Sequence, residues 1–376
     1  MKICIVARSI SKDHRGSFEF DQALSLCNAG HEVCLISLDL RSILRSRPLG
    51  INREEENGVR IVRISIPLGA INKRIFYKIS AEAFKIVFNR ENKLFNGFDI
   101  VHAHFLDNIY ISLKALSKMR TRPVIVGTEH SNVAEINSYK RSPFMKKTIY
   151  NAYSGLDKLI TVSKNLSDIL MKEYNVKSYV IHNVVDTSLF TYDVSMRENN
   201  SKTIFCSVGT LTKNKRMDLL IECFYKAFGN DNKYMLYICG SGEEKENLLN
   251  EIKRLNCENN VKLLGSVSRK KIFDIFQHSD FFILLSKKET FGVAFVEAMA
   301  SGLPVLSTKS GGPEEFINEK VGILLEDDKD YIVSKMRDIT SNERKYNRSY
   351  ISNYASENFS PEAITNELIE VYSELL

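Results

Sequence analysis

The chain has 376 residues, of which 44% are hydrophobic and 26% are charged, and its formal net charge is +6 at pH 7. These values suit a globular protein of two domains and exclude a membrane-spanning one, because no window approaches the roughly 18 uninterrupted apolar residues of a membrane span. The seven cysteines are scattered without a C-x-x-C pair, which excludes a disulfide framework or a zinc site.

The N-terminal segment has the pattern of a β-α-β unit. Residues 1–7 form an apolar run typical of a buried strand, residues 18–28 are predicted to be helical, and residues 32–37 form a second strand. The first loop carries one glycine, Gly16, and lacks the G-x-G-x-x-G fingerprint, so a dinucleotide cofactor is not supported. The first apolar run is also too short for a signal peptide, and we expect a cytoplasmic protein.

A basic segment follows the predicted strand at residues 59–66. Residues 72–95 place apolar and basic side chains at helical spacing, and the positive excess of the chain lies within its first 190 residues. The basic side chains here and in the next cluster are Lys73, Arg74, Lys78, Lys85, Arg90, Lys93, Lys140, Arg141, Lys146 and Lys147. This pattern favours an anionic partner, a membrane surface or an anionic acceptor. An ordinary solvated helix face and an uneven distribution of charge by chance are the alternatives.

Two predicted strands end in histidines. Residues 99–104 end in His102-Ala-His104, and residues 123–128 are followed by Glu129-His130. Ligands collect at the carboxyl ends of parallel strands, so His104 and His130 are candidate site residues. Period-2 alternation puts His102 and His104 on one face of the strand, and His102 is further from that end.

The strand-helix alternation continues with a predicted strand at 156–163 and a predicted helix at 164–174 and, after a polar run at 191–201, restarts as a second doubly wound sheet. The predicted strands are 203–208, 234–240, 261–264 and 280–285, and the predicted helices are 217–228, 243–255 and 269–278. We interpret the polar run as a linker, which gives domains at 1–190 and 191–360. Asp327-Asp328-x-Asp330 is interpreted as a solvated turn and helix start and not as a metal site.

The segment most informative about chemistry is residues 286–312, S-K-K-E-T-F-G-V-A-F-V-E-A-M-A-S-G-L-P-V-L-S-T-K-S-G-G. It predicts a loop after a buried strand and a helix, Val293–Ala300, that begins after Gly292. A helix N-terminus presents unpaired N–H groups and partial positive charge, which bind phosphate without a metal. A glycine at this point lets a ligand approach the backbone closely.

Two glutamates flank this predicted phosphate site. Glu297 lies roughly 7 to 8 Å along the helix from its start, and Glu289 lies in the preceding loop. Carboxylates in contact with a phosphate repel it. We therefore expect the two glutamates to accept hydrogen bonds from hydroxyl groups on either side of a diphosphate, a ribose on one side and a sugar on the other.

E-T-F-G-V-A-F-V-E, with its E-x7-E spacing, and the following G-L-P-V and G-G-P-E-E closely resemble the signature of the retaining GT-B glycosyltransferases of family 4. This resemblance implies an α/β fold of two Rossmann-like domains that face each other across a cleft. The first domain is expected to bind the acceptor and the second a UDP- or GDP-sugar. The segment Y-V-I-H-N-V-V-D, residues 179–186, resembles the family's hinge motif P-N-G-V-D, and helix 361–376 is expected to return to the first domain.

The resemblance also assigns roles to residues. His130, Glu289 and Lys215 are the implied catalytic groups, and His104 and Asn183 are implied in acceptor binding. Donor binding is assigned to Gly16, Thr210, Lys215, Gly240, Val267, Glu289, Thr290, Phe291, Gly292, Val293 and Glu297. Within this set Glu297 takes the ribose, the backbone near Val267 the base, and Glu289 with His130 the transferred sugar.

One position departs from the family pattern G-R-L-x-x-x-K. The chain has G-T-L-T-K-N-K at residues 209–215, so Lys215 occupies the lysine position and Thr210 replaces the arginine. A hydroxyl does not reproduce the bidentate fork of a guanidinium, and the loss is expected to weaken the enzyme by tens to hundreds of fold without abolishing it. Lys213 and Arg216 are candidates to compensate.

The expected activity is metal-independent and cofactor-free transfer of a hexose, with retention, to a glycan or lipid-linked oligosaccharide. Synthesis of an envelope polysaccharide by a cytoplasmic enzyme peripheral to the membrane suits this expectation, and no nucleic-acid partner is predicted. Two alternatives stay open. One is a non-catalytic GT-B partner subunit, which Thr210 favours, and the other is a nucleotide-sugar epimerase, which shares the architecture.

Overall fold

A computed structural model describes residues 1–8, 10, 17–40, 49–69, 71–131, 142–196, 201–341 and 346–376. The chain divides into two compact units. Unit 1 comprises Met1–Val184 and Pro361–Leu376, and unit 2 comprises Val185–Ser360. Each unit is built around its own sheet with helices between most successive strands, so the predicted α/β fold class is confirmed.

Unit 1 has an eight-stranded sheet in the order β3-β4-β2-β1-β5-β6-β7-β8. The strands are β1 Lys2–Arg8, β2 Glu32–Asp39, β3 Gly50–Glu56, β4 Val59–Ser65, β5 Ile100–His104, β6 Val124–Glu129, β7 Lys158–Thr161 and β8 Tyr179–Val180. All neighbours pair in parallel except β3 with β4, which form an antiparallel pair at one edge. The core of β1 is fully buried, as expected of a parallel strand covered on both faces.

The helices of unit 1 that precede the second unit are α1 Phe18–Asn28, α2 Lys73–Leu94, α3 Phe105–Leu116, α4 Pro143–Ser154 and α5 Lys164–Tyr174. Two of them begin at serine caps. The Ser17 hydroxyl accepts a hydrogen bond from the Phe20 N–H at 3.2 Å, and Ser163 accepts one from Leu166 at 3.2 Å. These caps satisfy N–H groups that a helix start leaves unpaired, and α1 and α5 have the bounds that the sequence predicts.

Unit 2 has a six-stranded parallel sheet in the order β11-β10-β9-β12-β13-β14. The strands are β9 Thr203–Val208, β10 Tyr234–Cys239, β11 Val261–Gly265, β12 Phe281–Leu284, β13 Val305–Thr308 and β14 Gly322–Leu325. The helices are α6 Met217–Phe228, α7 Lys245–Arg254, α8 Arg269–Gln277, α9 Val293–Ala300, α10 Lys329–Ser341 and α11 Arg348–Phe359. The order reverses direction between β9 and β12, and open α/β sheets bind ligands beside such a switch point.

The last helix, α12 Pro361–Ser373, belongs to unit 1 although it follows unit 2 in the chain. Its Ile364, Leu368 and Tyr372 lie in the same buried cluster as Phe20 of α1. The Ser25 hydroxyl of α1 donates to the Pro361 carbonyl at 2.7 Å. Apolar burial and this hydrogen bond together hold α12 against α1.

The first crossing between units occurs after Val184, whereas the sequence placed the domain boundary after residue 190. Phe190 is fully buried in unit 2, with its ring 5.8 Å from that of Phe276. The Gln277 amide donates to the Thr191 carbonyl at 2.7 Å and accepts from the Asp193 N–H at 3.2 Å. Residues 191–196 of the predicted linker are therefore anchored in unit 2, and residues 197–200 lie outside the described part.

No helix in the described part of the chain is both long enough and apolar enough to span a membrane. All seven cysteines are described and carry free thiols, and six of them are buried.

Candidate donor and histidine sites

Unit 2 places a loop and a helix start beyond the carboxyl end of β12. Gly292 is the N-cap of α9, with φ +100° and ψ 56°. This is a left-handed backbone conformation, which residues other than glycine adopt at an energetic cost. The first turn of α9 contains no acidic residue, so its partial positive charge is not cancelled locally. The predicted strand, loop and helix start are all present.

Glu289 is fixed in this loop from several sides. Its carboxylate forms an ion pair with Lys215 Nζ, and the Ser286 hydroxyl donates to its Oε1 at 2.5 Å. The Glu289 N–H donates to the Ser310 carbonyl at 2.8 Å, and its own carbonyl accepts from the Gly312 N–H at 3.0 Å. The structure thus brings Lys215 and Glu289 into direct contact. Ser286 and Ser310 were not predicted, although both lie within the segment that the sequence selected.

Glu297 faces a residue that the sequence analysis did not select. Its Oε1 lies 3.4 Å from a terminal nitrogen of Arg269, and both side chains are largely buried, 13% and 22% exposed. The Arg269 guanidinium also lies over the Phe190 ring, 5.3 Å from its centre. Arg269 begins α8 directly after the loop that contains Val267. The contact therefore joins the predicted ribose-binding glutamate to the predicted base-binding loop.

Gly240 lies where β9, β10 and β11 end. Its N–H donates to the Gly265 carbonyl at 2.8 Å, and the Gly209 N–H donates to the Cys239 carbonyl at 3.0 Å. A Cβ atom on Gly240 would lie 1.9 Å from the Gly209 carbonyl oxygen. The close approach of two backbones thus explains this glycine without a ligand, and its role in donor binding stays a prediction.

The structure around Thr210 limits which residue can supply the positive charge that the family's arginine provides at this position. Thr210 and Lys213 are exposed. Arg216 is engaged elsewhere, since its Nε donates to the Leu285 carbonyl at 2.7 Å and its guanidinium pairs with Asp327 at 2.6 Å. Of the two candidates to compensate for the arginine, Arg216 instead holds the end of β12 against the start of α10. Lys213 is therefore the better candidate.

The acidic segment at residues 327–330 forms the exposed start of α10, as interpreted from the sequence. The Asp328 carboxylate accepts from the Tyr331 N–H at 2.8 Å, and Asp330 pairs with Lys226. Each of these carboxylates has a local structural partner.

Unit 1 stacks three histidines at the ends of β5 and β6. The ring centres of His102 and His104 are 4.6 Å apart, and those of His104 and His130 are 5.1 Å apart. His104 Nδ1 lies 2.9 Å from His130 Nε2. His102 and His104 have no exposed surface. His130 is the partly exposed member of the stack.

The hydrogen bonds of His102 define its tautomer. His102 Nδ1 lies 3.1 Å from the Gln22 amide nitrogen and 2.5 Å from the Tyr372 hydroxyl. Because an amide nitrogen only donates, Nδ1 accepts and the ring proton lies on Nε2, which is 2.6 Å from the Thr128 hydroxyl. This places α12, through Tyr372, in direct contact with the inner end of the histidine stack.

His104 and His130 share a single hydrogen bond, so their tautomers are coupled. Burial lowers the pKa of His104 to about 3. Burial, and then the charges of His104, His102 and Arg8, hold the pKa of His130 well below its usual range. Both rings are therefore neutral near pH 7, and one proton lies between them. Within the described residues, the outer nitrogen of His104, Nε2, has no hydrogen-bond partner.

Aromatic rings hold His130 in place. The Phe18 ring stacks on it at 4.4 Å and the Phe105 ring lies at 4.8 Å. The Arg8 guanidinium covers Phe105, 3.5 Å from its ring centre. Phe105 has φ +68°, an unusual value for a residue with a side chain. Sequence reasoning missed Phe105 because no pattern signals positive φ at a phenylalanine.

Glu129 organises the backbone around His130. One carboxylate oxygen accepts from the N–H groups of His130 at 2.9 Å and Ser131 at 2.7 Å, and the other accepts from the Tyr153 hydroxyl at 2.7 Å. Burial raises the pKa of Glu129, and these hydrogen bonds act in the opposite direction. Asn183, predicted to bind acceptor, is nearly buried and influences the pKa of His130, so it lies in the same site.

Three predicted residues lie outside the described part of the chain. They are Gly16, expected at the donor phosphate, and Lys140 and Arg141 of the basic cluster.

Both halves of the chain match known protein families. The family model described as "Glycosyltransferase Family 4" matches residues 20–189, and the model described as "Glycosyl transferases group 1" matches residues 191–357. N-acetyl-alpha-D-glucosaminyl L-malate synthase of Bacillus anthracis is 26% identical over 80% of this chain and 77% of its own length. GDP-mannose:cellobiosyl-diphosphopolyprenol alpha-mannosyltransferase of Xanthomonas campestris is 27% identical over 56% of each chain.

Among solved structures, sucrose-phosphate synthase from Thermosynechococcus elongatus superposes with a TM-score of 0.80 at 16% identity. The superposition covers 99% of this chain and 98% of that one. At this identity the match establishes the fold alone.

Proposed function

Because this chain belongs to the GT-B glycosyltransferases of family 4, the glycosyl transferases group 1, we propose that it transfers a hexose from a UDP- or GDP-sugar with retention and without a metal. The observation that carries this proposal is the grouping of Lys215, Glu289 and the start of α9 at one end of the unit 2 sheet. A cation and a helix N-terminus together supply the positive charge that a departing diphosphate requires.

Lys215 has the chemistry to serve two partners at once. Its ammonium group carries three N–H groups, and one of them is directed at Glu289. In our proposal the remaining N–H groups of Lys215 bind the diphosphate, while Glu289 accepts hydrogen bonds from hydroxyl groups of the transferred sugar. The pair therefore fixes the orientation of the sugar relative to the departing diphosphate, and such positioning increases the reaction rate.

Glu297 and Arg269 are proposed to hold the nucleoside. Glu297 accepts the ribose hydroxyls, and Arg269 keeps the carboxylate in place from the neighbouring helix. The stacking of Arg269 on Phe190 limits the freedom of the guanidinium. The adjacent backbone at Val267 is the proposed contact for the base.

In unit 1, His130 is the proposed contact for the transferred sugar. A neutral imidazole both accepts and donates hydrogen bonds, which suits a hydroxyl and avoids attraction for the phosphates. In the proposed retaining reaction, the acceptor hydroxyl attacks from the face that the diphosphate leaves. An oxygen of the departing diphosphate takes the hydroxyl proton, and no protein base is required.

The proposed acceptor is a glycan or a lipid-linked oligosaccharide of an envelope polysaccharide, modified in the cytoplasm at the membrane. The Xanthomonas relative, whose name includes a diphosphopolyprenol acceptor, supports this class. Exposed Thr210 and the engaged Arg216 favour a second candidate, a non-catalytic GT-B partner subunit.

Proton NMR of the chain with nucleotide-sugars in water tests the proposal. Many transferases hydrolyse their donor slowly when water takes the place of the acceptor. We expect release of the free sugar in the donor's own anomeric form before mutarotation. Release of the opposite anomer contradicts retention, an epimerised nucleotide-sugar indicates the epimerase, and an unchanged donor favours the partner subunit.

A further inference from the structure

The outer face of α2 carries isoleucines where a solvated helix normally carries polar residues. Ile75, Ile79 and Ile86 are 54%, 38% and 69% exposed. At 3.6 residues per turn, the three project within about 40° of one another. Ile71, 36% exposed, lies just before the helix. The opposite face of α2 is already buried against unit 1, so the isoleucines are not needed for the core.

Basic side chains border these isoleucines. Those that form no ion pair within the described residues are Lys78, Lys85, Arg90 and Lys93. Of the two carboxylates of α2, Glu82 is exposed and projects about 20° from Ile75, so it offsets one of these cations. Glu91 is fully buried and pairs with Arg53 at 3.0 Å and Arg60 at 2.6 Å, which leaves Glu82 as the exposed carboxylate of the helix.

The start of α4 adjoins the start of α2 and extends this surface. The Arg74 guanidinium lies over the Phe144 ring, 5.1 Å from its centre. The following turns of α4 expose Lys146 and Lys147 to solvent, and Tyr150 is 63% exposed. Apolar and basic side chains thus recur together on two neighbouring helices. The clustering of three exposed isoleucines on one helix face, and not their exposure alone, distinguishes this surface from an ordinary solvated helix face.

We propose that the isoleucine face, defined as Ile71, Ile75, Ile79, Ile86 and Tyr150 with the basic residues around them, docks on an anionic lipid bilayer. Isoleucine side chains lose their contact with water at the acyl boundary, while lysine and arginine stems keep their charges at the lipid phosphates. Each cation near such a surface increases binding about fivefold.

Charge complementarity selects the bilayer over a second copy of the chain. Two copies joined through this face place lysines against lysines, which opposes association. An anionic bilayer presents the opposite charge over the whole area. Membrane docking itself does not depend on the proposed function. Its consequence, that the acceptor is carried by a membrane lipid, does rest on the proposed function.

Co-flotation of the full chain with vesicles tests the docking surface. One set of vesicles contains phosphatidylcholine alone, and the other contains phosphatidylcholine mixed with phosphatidylglycerol. The variants are Ile75→Ser/Ile79→Ser/Ile86→Ser for the apolar part and Lys78→Gln/Lys85→Gln for the charge. The matched controls in unit 2 are Val194→Ser/Leu264→Ser/Tyr331→Ser, also exposed apolar side chains, and Lys245→Gln/Lys253→Gln, also exposed lysines.

We expect the unmodified chain to float with the phosphatidylglycerol vesicles and to bind phosphatidylcholine much more weakly. The lysine pair should reduce binding about twenty-fivefold at low salt. The isoleucine triple should reduce it about tenfold or more, and both unit 2 controls should bind as the unmodified chain does.

Absence of binding to either vesicle, equal binding to both, or equal losses in the unit 2 controls overturns the proposal. So does a concentration-dependent dimer that Ile→Ser abolishes, since it assigns the face to a second copy. Vesicle binding is measured without donor or acceptor. Failure here therefore leaves donor turnover intact, and failure of donor turnover leaves vesicle binding intact.

Discussion

Glu297 and Arg269 form a largely buried ion pair at the proposed ribose site, 3.4 Å apart. We expect Glu297→Gln to raise the donor KM by about tenfold to a hundredfold, because an amide accepts ribose hydroxyls more weakly than a carboxylate and loses the arginine. Arg269→Ala should raise the KM by a smaller factor with little change in kcat, as befits a positioning residue. Steady-state kinetics over a range of donor concentrations measure both. An unchanged KM in Glu297→Gln contradicts the assignment.

His104 is fully buried behind His130 and is expected to act by setting its tautomer. His104→Leu removes the hydrogen bond and should lower kcat about tenfold, whereas His104→Asn keeps a polar group near the Nδ1 position and should recover part of the loss. The ¹⁵N chemical shifts of His130 report its tautomer directly. If the leucine variant changes neither the tautomer nor kcat, His104 has only a packing role.

Burial of His104 predicts a pH dependence of stability. Its pKa is about 3 in the folded chain and about 6.5 when unfolded, so the unfolded state binds the extra proton as pH falls below 6.5. The folded state is thus destabilised by acid, by about 1 kcal/mol between pH 6.5 and 5.5 for this residue. The contribution fades above pH 6.5 and is essentially gone above about pH 7.5, where the unfolded imidazole is also neutral.

Hydrogen exchange of the β5 amides at these two pH values, corrected for intrinsic rates, measures the effect. In His104→Asn we expect the acid-induced loss of protection to be about 1 kcal/mol smaller than in the unmodified chain. The same loss in both chains contradicts a buried, neutral His104.

At the scale of the elements, the loop and helix α9 place the donor-site groups. Gly292 starts α9 with φ +100°, and a Cβ atom there would lie 2.9 Å from the Phe295 ring. Gly292→Ala should destabilise the chain by about 1–2 kcal/mol and also weaken nucleotide binding. Gly229→Ala is the matched control, since Gly229 also has positive φ, +59°, but has open space around it.

Thermal unfolding and nucleotide titration separate the two effects. Both variants should lose stability, but only Gly292→Ala should lose affinity for nucleotide. Equal affinities in the two variants contradict a role of this helix start in binding phosphate.

The sequence predicts most elements of this fold but leaves α4, α11, β8, β13 and β14 unassigned; two further exceptions, β3 and α3, have clear physical causes. Helices α1, α5, α6 and α9 have the predicted bounds because caps or glycines limit them. β3, with sequence G-I-N-R-E-E-E, was missed because its charged side chains form a strand only through pairing with β4. α3 was missed because it starts at Phe105 without a capping side-chain hydrogen bond.

The candidate site was predictable in its groups but not in its contacts. Loop chemistry and spacing selected Glu289 and Glu297 from the sequence, and the resemblance to the family pattern selected Lys215. The contacts of Lys215 with Glu289 and of Arg269 with Glu297 follow only from the folding of distant segments onto one another, as does the stack of three histidines. No local pattern encodes such contacts.

At the scale of the whole molecule, the chain passes between its two units after Val184 and after Ser360. The return of α12 to unit 1 connects the end of the chain to the histidine stack, through Tyr372 and His102. The first crossing lies ahead of the polar run that composition favoured, because Phe190 is buried in unit 2. The packing of the chain and its polarity thus set the boundary at different residues.

We propose above all that unit 2 binds a nucleoside diphosphate through Lys215 and α9 without a metal. Isothermal titration of the full chain with UDP and with GDP, in the presence of a metal chelator, tests it most directly. We expect one of the two nucleotides to bind, and Lys215→Met to weaken that binding by about tenfold to a hundredfold. Lys226→Met, which removes an exposed lysine paired with Asp330, should bind as the unmodified chain does. Binding of neither nucleotide, binding that requires a divalent metal, or equal affinity in Lys215→Met contradicts the claim.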